Sequence, residues 1–416
     1  MSSRTQNSNL VHKAAFIFSL IVVVASLVSV IFPTFIIRLT SASTTGPVSL
    51  FDVGTLALPV VALNVLIFGL GILYYKKNLP NYIIKSIKFI LNFEISRRIA
   101  IIVIVFVLGI YVILTINQLT IDEGTLWEDY VDIVKPILKL WPTQHVSNYE
   151  ISEQLQRHVR AFLLVASNDV FHNDKVIPYL ASISILFLTY FITRQISGKR
   201  FAGIISMIVV VQSYTFLRYS ASATYDNFWV AFYLLSIYSL YKKWYLSPIS
   251  YVLSIFSKII SAPYLLLTLF FIYRLDIIKK KKYLLLISYV IAVIVSIIII
   301  KLGGFVYQRF VSLDYNSFWV GLAMWSNQLR FDFLIELTIL PLVVGLYLIS
   351  KKGILEADSM LIMIGGLIIN QPLLSIMQSN LMQPYRMVSF VVFFAISIGM
   401  LLSKTRKQDE LKHDVT

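Results

Sequence analysis

Long apolar runs separated by short polar segments dominate the 416-residue chain. Most runs are about 18–24 residues long, which suits a helix that crosses the hydrocarbon core of a bilayer. They are continuous rather than alternating, so they predict helices. The fold predicted is an all-α polytopic membrane protein with about 11–12 transmembrane helices. The predicted crossings or part-crossings are 14–37, 55–75, 99–118, 176–194, 201–217, 226–241, 248–258, 260–273, 283–301, 332–350, 359–378 and 386–403.

Two segments depart from the simple pattern. The stretch 248–273 is short for two full passes at about 1.5 Å per residue, so we expect a bent or re-entrant pair with residues 257–263 near the outer face. Residues 82–93 place Lys85 and Lys88 beside an apolar stripe. That pattern predicts an amphipathic helix on the inner membrane surface.

Composition and charge give the chain an orientation. It is 58% hydrophobic and 14% charged, and carries a formal net charge of +15. Its basic clusters flank the spans, and the positive-inside rule then places them, and both termini, in the cytoplasm. Positive charge distributed in this way indicates topology rather than nucleic-acid binding. The clusters lie at 76–98, 194–200, 242–243, 274–282, 351–352 and 404–407.

This topology leaves four segments outside: 119–175, 218–226, 302–331 and 378–386. The first is a long loop between the third and fourth spans, with nine acidic and five basic residues. Long loops on a membrane scaffold are where chemistry or recognition is usually built.

Carboxylates in two of the outer segments are the candidates for chemistry. Asp122 and Glu123 directly follow an apolar helix, and Asp226 begins the helix after the outer turn. Such groups can act as a base on a hydroxyl or bind a divalent cation. The alternatives are a polar stop at a helix end and, for Asp226, a charge that suits the helix N-terminus. The later acidic residues of the loop are expected to form a solvated surface.

Two cations lie on the outer side against the general trend. Lys258 and Arg386 each sit near a proline at a span end, where a cation can bind a lipid phosphate. The alternative is snorkelling to ordinary headgroups. The aromatic residues of 302–331 fit either sugar stacking or an interfacial belt. There are no cysteines, and no glycine-rich phosphate loop or nucleophile motif occurs, so no nucleotide cofactor is expected.

These motifs, in this order, resemble the GT-C class of membrane glycosyltransferases, nearest the branch of protein O-mannosyltransferases and aminoarabinose transferases. The segments that carry the resemblance are TIDEG at 120–124, TRQISGKR at 193–200, FLRYS at 216–220 with Tyr225-Asp226, FSK at 256–258 and QPYR at 383–386. The His-Pro-Pro element of many relatives is replaced by QRHVR at 156–160. The resemblance implies a catalytic domain over 99–403, a two-helix addition with the amphipathic segment at 1–98 and a charged cytoplasmic tail at 404–416.

The resemblance also implies a reaction. A sugar would pass from a polyprenyl-phosphate donor to a protein, lipid or glycan acceptor at the external face, with inversion. Asp122 or Glu123 would deprotonate or orient the acceptor hydroxyl, and Asp226 would help to hold the acceptor or a metal. The three carboxylates are the candidate ligands of a divalent ion, Mg²⁺ or Mn²⁺. The lipid phosphate would be bound by Lys258, Arg386, Arg218 and Tyr385. The sequence leaves two alternatives open, which are a lipid or small-solute transporter and a non-catalytic scaffold subunit.

Overall fold

The computed structural model describes residues 2–35, 51–140, 158–302, 313–376 and 383–403. Every regular element within them is helical. The α-helices are α1 (Ser2–Ile31), α2 (Ala57–Tyr75), α3 (Asn81–Asn92), α4 (Arg97–Thr115), α5 (Lys135–Leu140), α6 (His158–Phe171), α7 (Val176–Ser197), α8 (Arg200–Val211), α9 (Tyr214–Arg218), α10 (Phe228–Lys242), α11 (Leu246–Ser257), α12 (Tyr264–Arg274), α13 (Lys279–Leu302), α14 (Asn316–Gln328), α15 (Phe333–Lys351), α16 (Glu356–Ser375) and α17 (Val388–Met400). The predicted tail 404–416, the loop centre 141–157 and parts of 302–331 and 378–386 lie outside the described residues.

Seven of these helices are long and apolar enough to cross a membrane, judged by length and composition. They are the membrane-length parts of α1, α2, α4, α7, α13, α15 and α16. The described chain is therefore a helical protein with the character of a multi-pass membrane protein, as predicted. Several other predicted crossings correspond to apolar helices of 10–17 residues, among them α8, α11 and α12. The finer count of 11–12 crossings stays a prediction.

The prediction of a broken pair at 248–273 is confirmed. Helix α11 ends at Ser257, Lys258 is extended with φ −158° and ψ 118°, and a 3-10 turn at 259–261 leads into α12. With 12 and 11 residues, each helix is about 16–18 Å long, shorter than a hydrocarbon core. The helix predicted over 82–93 is present as α3, with Lys85 and Lys88 exposed, and its location on the inner membrane surface stays a prediction.

Two segments predicted as outer loops contain helices. The described parts of 119–175 hold α5, α6, a 3-10 turn at Glu123–Thr125 and a π-helical turn at Tyr130–Val134. The described part of 302–331 contains α14, in which Trp325 is buried. The sequence analysis assigned no helix to these segments because a mixed polar and apolar composition resembles a loop until the helix has a neighbouring surface to bury its apolar side. Their position outside the membrane stays a prediction.

The described chain forms two compact units. One unit contains 2–97, 196–206 and the described residues from 313 onward. Its central helix is α16, buried on nearly all sides, which packs against α1, α14, α15 and α17. Contact between α1 and α16 is close because a Cβ added at Gly365 would lie 2.8 Å from the Phe18 ring. The predicted addition at 1–98 is thus integrated with the C-terminal helices.

The second unit contains 98–195 and the described residues of 207–309. Helices α10 and α11 pack along each other, and α13 packs on α11 and α12. Val134, Leu164, Ala223 and Phe228 form a buried apolar cluster. This cluster joins the helical parts of 119–175 to the 218–226 turn and to the start of α10, and so fixes the segments that carry Asp122, Glu123 and Asp226.

Candidate functional site

Glu123 connects the first outer segment to the 218–226 turn. Its carboxylate accepts hydrogen bonds from the backbone N–H groups of Ala223 and Thr224, both at 2.9 Å. The hydroxyls of Thr224 and Ser222 also donate to it, the latter at 3.3 Å. The residue is 3% exposed. Four donors on one buried carboxylate stabilise its charged form, and they join two segments about 100 positions apart.

Lys175, the last residue of the 119–175 segment, contacts residues at the beginning of that segment. The Lys175 Nζ lies 3.8 Å from the Glu123 Oε1 atom. It also donates to the backbone carbonyls of Gln118, at 3.0 Å, and Ile121. The residue is buried. Its positive charge therefore offsets the negative charge of Glu123 where solvent screening is weak.

A second buried ion pair holds the same turn from the other side. The Arg160 Nε donates to the Asp226 Oδ2 at 2.6 Å, and the two side chains are 2% and 0% exposed. The Arg160 Nη2 donates to the carbonyls of Ala223 and Thr224, at 3.1 and 2.8 Å. Asp226 also accepts the Phe228 N–H at 3.3 Å, at the first residue of α10. Arg160 thus fixes the turn and the start of α10 together.

Asp122 differs from its neighbour because its side chain is exposed. Its Oδ1 accepts the Gly124 N–H at 2.9 Å, which caps a 3-10 turn at Glu123–Thr125. The Asp122 Oδ2 makes no hydrogen bond to any residue that the structure describes. A Cβ added at Gly124 would lie 3.2 Å from the Asp122 Oδ1, so the glycine leaves room for this orientation. One oxygen of Asp122 is held in place and the other can accept a proton.

We call the region where the start of the 119–175 segment contacts the 218–226 turn the junction. A small cavity with a volume of about 90 Å³ lies beside it. Glu123, Trp127, Lys175, Arg218 and Ser222 are among its lining residues. Since water occupies about 30 Å³ per molecule, the cavity holds a group of only a few atoms. Arg218 is exposed and contributes a positive charge at its edge.

Two aromatic residues of the junction are fixed by acidic residues of the outer segment. The Tyr225 hydroxyl donates to Asp129 and the Tyr130 hydroxyl donates to Asp174, both at 2.9 Å. Burial and the negative charge of Asp174 raise the pKa of Tyr130 above its usual value. Asp129 and Asp174 therefore do not belong to a simple solvated surface, as was expected of the later acids.

The predicted lipid-phosphate residues are distributed over both units. Lys258 is buried at the break between α11 and α12 and is not among the residues lining the 90 Å³ cavity. Tyr385 and Arg386 belong to the other unit, in a 3-10 turn at Pro384–Met387. There the Arg386 Nε donates to the Tyr385 hydroxyl at 3.3 Å. The structure brings Glu123 and Arg218 to one cavity, and Glu123 and Asp226 to one turn.

A divalent metal would need free oxygen ligands from the predicted residues Asp122, Glu123 and Asp226. Within the described ranges, no group of three or more His, Asp or Glu residues is arranged to hold a metal ion. The oxygens of Glu123 accept four hydrogen bonds, and Asp226 is paired with Arg160. Of the three predicted ligands, Asp122 alone offers a free oxygen, so the present arrangement does not fit a metal bound by all three.

Sequence reasoning missed the residues that assemble the junction. Lys175 was counted only in the charge balance of the loop, and Arg160 appeared there and in the QRHVR segment without a role. Ser222 and Thr224 were treated only as part of a turn. The available signal was the presence of isolated cations in an acidic segment, since buried carboxylates require such partners. Comparison with known proteins adds no identification: no family model, no curated protein and no solved structure matches this chain.

Proposed function

We propose that this protein is a membrane glycosyltransferase that uses a polyprenyl-phosphate-linked sugar. The observation that carries the proposal is the junction at Asp122. The Asp122 carboxylate has one fixed and one free oxygen. Its chain neighbours Ile121 and Glu123 line the small cavity, together with Lys175 and Arg218. The buried interactions of Glu123, Lys175, Arg160 and Asp226 give this group a rigid support, as transfer chemistry requires.

The proposed step is an inverting displacement. The acceptor hydroxyl attacks the anomeric carbon of the sugar while the bond from that carbon to the phosphate oxygen breaks. The proton of the hydroxyl passes to the free Oδ2 of Asp122, and the polyprenyl phosphate leaves with the bonding electron pair. Positive charge near the leaving phosphate lowers the barrier. Arg218 supplies it at the cavity. The assignment of Lys258, Arg386 and Tyr385 to the lipid phosphate stays a prediction from the sequence.

In this proposal Glu123 and Asp226 have a role that differs from the one inferred from sequence. Both carboxylates are buried and fully engaged, so they position the outer segment and the turn rather than accept a proton. A divalent metal is not assigned a step. The acceptor is a hydroxyl of a protein, lipid or glycan, and no nucleotide takes part.

The proposed location follows from the charge pattern. The protein is placed in the cell membrane as a multi-pass protein with both termini in the cytoplasm, and the junction at the external face. The lipid donor would then reach the site from the outer leaflet.

The direct experiment uses the purified protein in proteoliposomes with a panel of polyprenyl-phosphate sugars and hydroxyl-bearing peptide and lipid acceptors. The proposal predicts acceptor-dependent release of polyprenyl phosphate with inversion at the anomeric carbon. An absence of release with every donor and acceptor, under conditions where the protein elutes as a folded species, contradicts it.

A transporter is the second candidate, and one observation favours it. Glu336 is buried in a helix of membrane-spanning length and borders a large cavity, a placement typical of transport pathways. Movement of lipid or solute across proteoliposomes without any acceptor, and without release of polyprenyl phosphate, would support transport over transfer.

A further inference from the structure

The cavity that contains Glu336 is distinct from the junction described above and lies wholly within the first unit. Its volume is about 650 Å³, within the range of small-molecule sites of about 300–1,000 Å³. It is formed where α1 and α14 end and where α2 and α15 begin. Four helix ends thus enclose it, and it is large enough for a ligand of 20 or so atoms.

Glu336 is the unusual group in its wall. The residue is 0% exposed, and neither carboxylate oxygen has a hydrogen-bond partner among the described residues. An unpartnered buried carboxylate is costly, since it has lost its water without gaining a donor. Glu336 lies in the first turn of α15, where an acidic side chain interacts favourably with the helix dipole. That interaction explains the presence of an acidic residue but not its burial, because it also occurs at an exposed position. The Glu336 carboxylate therefore lacks a hydrogen-bond donor, and a ligand can provide one.

The rest of the wall indicates what the ligand must carry. Arg330 is exposed at the cavity and makes no ion pair with any described residue, although its guanidinium lies 5.0 Å from the Phe331 ring centre. Ser29, Thr55 and Asn327 add polar groups. A buried anion and an exposed cation in one cavity complement a molecule that bears both an ammonium and a phosphate group.

The apolar part of the wall favours an amphiphile. Val30, Leu56 and Val320 are among the apolar lining residues. Helix α2 continues from the cavity with Leu58 and Val65 exposed by 78% and 66%, a surface that suits acyl chains on a protein with spans of this composition. The apolar surface thus begins at the cavity wall itself.

We infer that this cavity binds a zwitterionic headgroup, with an ammonium group at Glu336 and a phosphate at Arg330. The inference is independent of the proposed transferase activity. The same chemistry occurs in an ethanolamine phospholipid and in free phosphoethanolamine, and the lipid is the form that the apolar wall favours.

The test uses the full-length protein, purified in detergent and mixed with defined lipids, with retained lipid measured by native mass spectrometry. The probes are phosphatidylethanolamine, its N-acetylated derivative, which lacks the ammonium charge, and phosphatidylglycerol. We expect at least tenfold greater retention of phosphatidylethanolamine than of either comparison lipid. Equal retention of the N-acetylated lipid overturns the inference without any variant of the protein.

Variants then locate the site. Glu336→Gln is expected to reduce the preference for phosphatidylethanolamine to within about twofold, and Arg330→Met to weaken retention of all phosphate-bearing lipids. The matched controls are the exposed residues Glu128 and Arg97, as Glu128→Gln and Arg97→Met, which should retain the wild-type preference. Unchanged preference in folded Glu336→Gln protein overturns the assignment of the ammonium site.

A calorimetric titration with soluble phosphoethanolamine separates the two sources. Binding of the soluble compound at the affinity of the lipid supports a free zwitterion as ligand, whereas binding of the lipid alone supports a headgroup site. Binding of neither overturns the inference.

Discussion

Glu123 and Glu336 are both buried glutamates, but their surroundings differ. Glu123 accepts four hydrogen bonds and has Lys175 at 3.8 Å. Glu336 has no hydrogen-bond partner among the described residues and borders a cavity of about 650 Å³. A buried carboxylate with all its donors in place stabilises the fold around it, whereas one without donors is retained at a cost.

The comparison separates a buried carboxylate that stabilises the fold from one that is available to bind a ligand. In the second unit, buried charges are paired so that the neighbouring Asp122 can be exposed in a fixed orientation. In the first unit, the Glu336 carboxyl group has no hydrogen-bond partner among the described residues, although the charge of Arg330 acts on it, and this group is itself the feature that a ligand would use. Residues that look equally functional in a sequence thus have different roles, and the direction of a stability change on substitution distinguishes them.

The largest effect is expected at Arg160. Arg160→Met removes the partner of Asp226, which stays buried with an uncompensated charge, so we expect a loss of about 3–5 kcal/mol in the free energy of unfolding. Denaturant unfolding in mild micelles measures it, with Lys139→Met at an exposed position as control. In the double variant Arg160→Met with Asp226→Asn, part of the loss should be recovered. A wild-type midpoint in Arg160→Met would mean that the ion pair does not hold the turn.

The second-largest loss in the free energy of unfolding is expected for Glu123→Met. It leaves the N–H groups of Ala223 and Thr224 without an acceptor and Lys175 without its countercharge. We expect a loss of about 2–4 kcal/mol, measured in the same unfolding assay. Glu128→Met, at an exposed carboxylate of the same segment, controls for the loss of charge. A change below that of the control contradicts a structural role for Glu123.

The matched substitution Glu336→Met is expected to stabilise the protein, whereas Glu123→Met destabilises it. It replaces an unpartnered carboxylate by an apolar chain of similar length, so the free energy of unfolding should rise by about 1–2 kcal/mol in delipidated protein. The assay is the same as for Glu123→Met. Destabilisation equal to that of Glu123→Met would show that Glu336 has partners, and the contrast between the two units would fail.

A small pH effect is expected at Tyr130. Its pKa is raised in the folded protein, mainly by burial, so the folded state holds the hydroxyl proton more tightly than the unfolded state does. This contribution is complete below the unfolded pKa of about 10 and is lost as pH rises through the folded pKa. The melting temperature of Tyr130→Phe should therefore fall less between pH 9 and 11 than that of the wild type. Parallel curves would contradict the raised pKa.

The helical architecture was largely predictable because span-length apolar runs are a strong local signal. The break near Lys258 followed from the basic residues at both ends of the 248–273 segment, which prefer the same side, and from the short length between them. Helix α14 and the helices of 119–175 were missed, since their stability depends on tertiary packing rather than on pattern. At the site, the first outer segment and the 218–226 turn were identified as the segments that carry the candidate carboxylates, but the pairing of Arg160 with Asp226 was not, because residues 66 positions apart meet only in the fold.

The roles of the neighbouring acids could not be read from sequence either. Asp122 and Glu123 are adjacent and chemically alike, and burial alone separates them. Gly124 contributes by leaving space beside the Asp122 carboxylate, a detail that depends on the conformation of the turn. The same holds for Glu336, whose lack of partners is a property of the assembled helices.

The most direct test of the account is the effect of Asp122→Asn on sugar transfer from a polyprenyl-phosphate donor. Asparagine preserves the cap on the Gly124 N–H, so the unfolding midpoint should stay within error of the wild type. Loss of the proton acceptor should lower the single-turnover rate by about 10²–10⁴-fold, whereas Asp169→Asn, at an exposed position, should retain full activity. Wild-type transfer by folded Asp122→Asn protein would contradict the central claim.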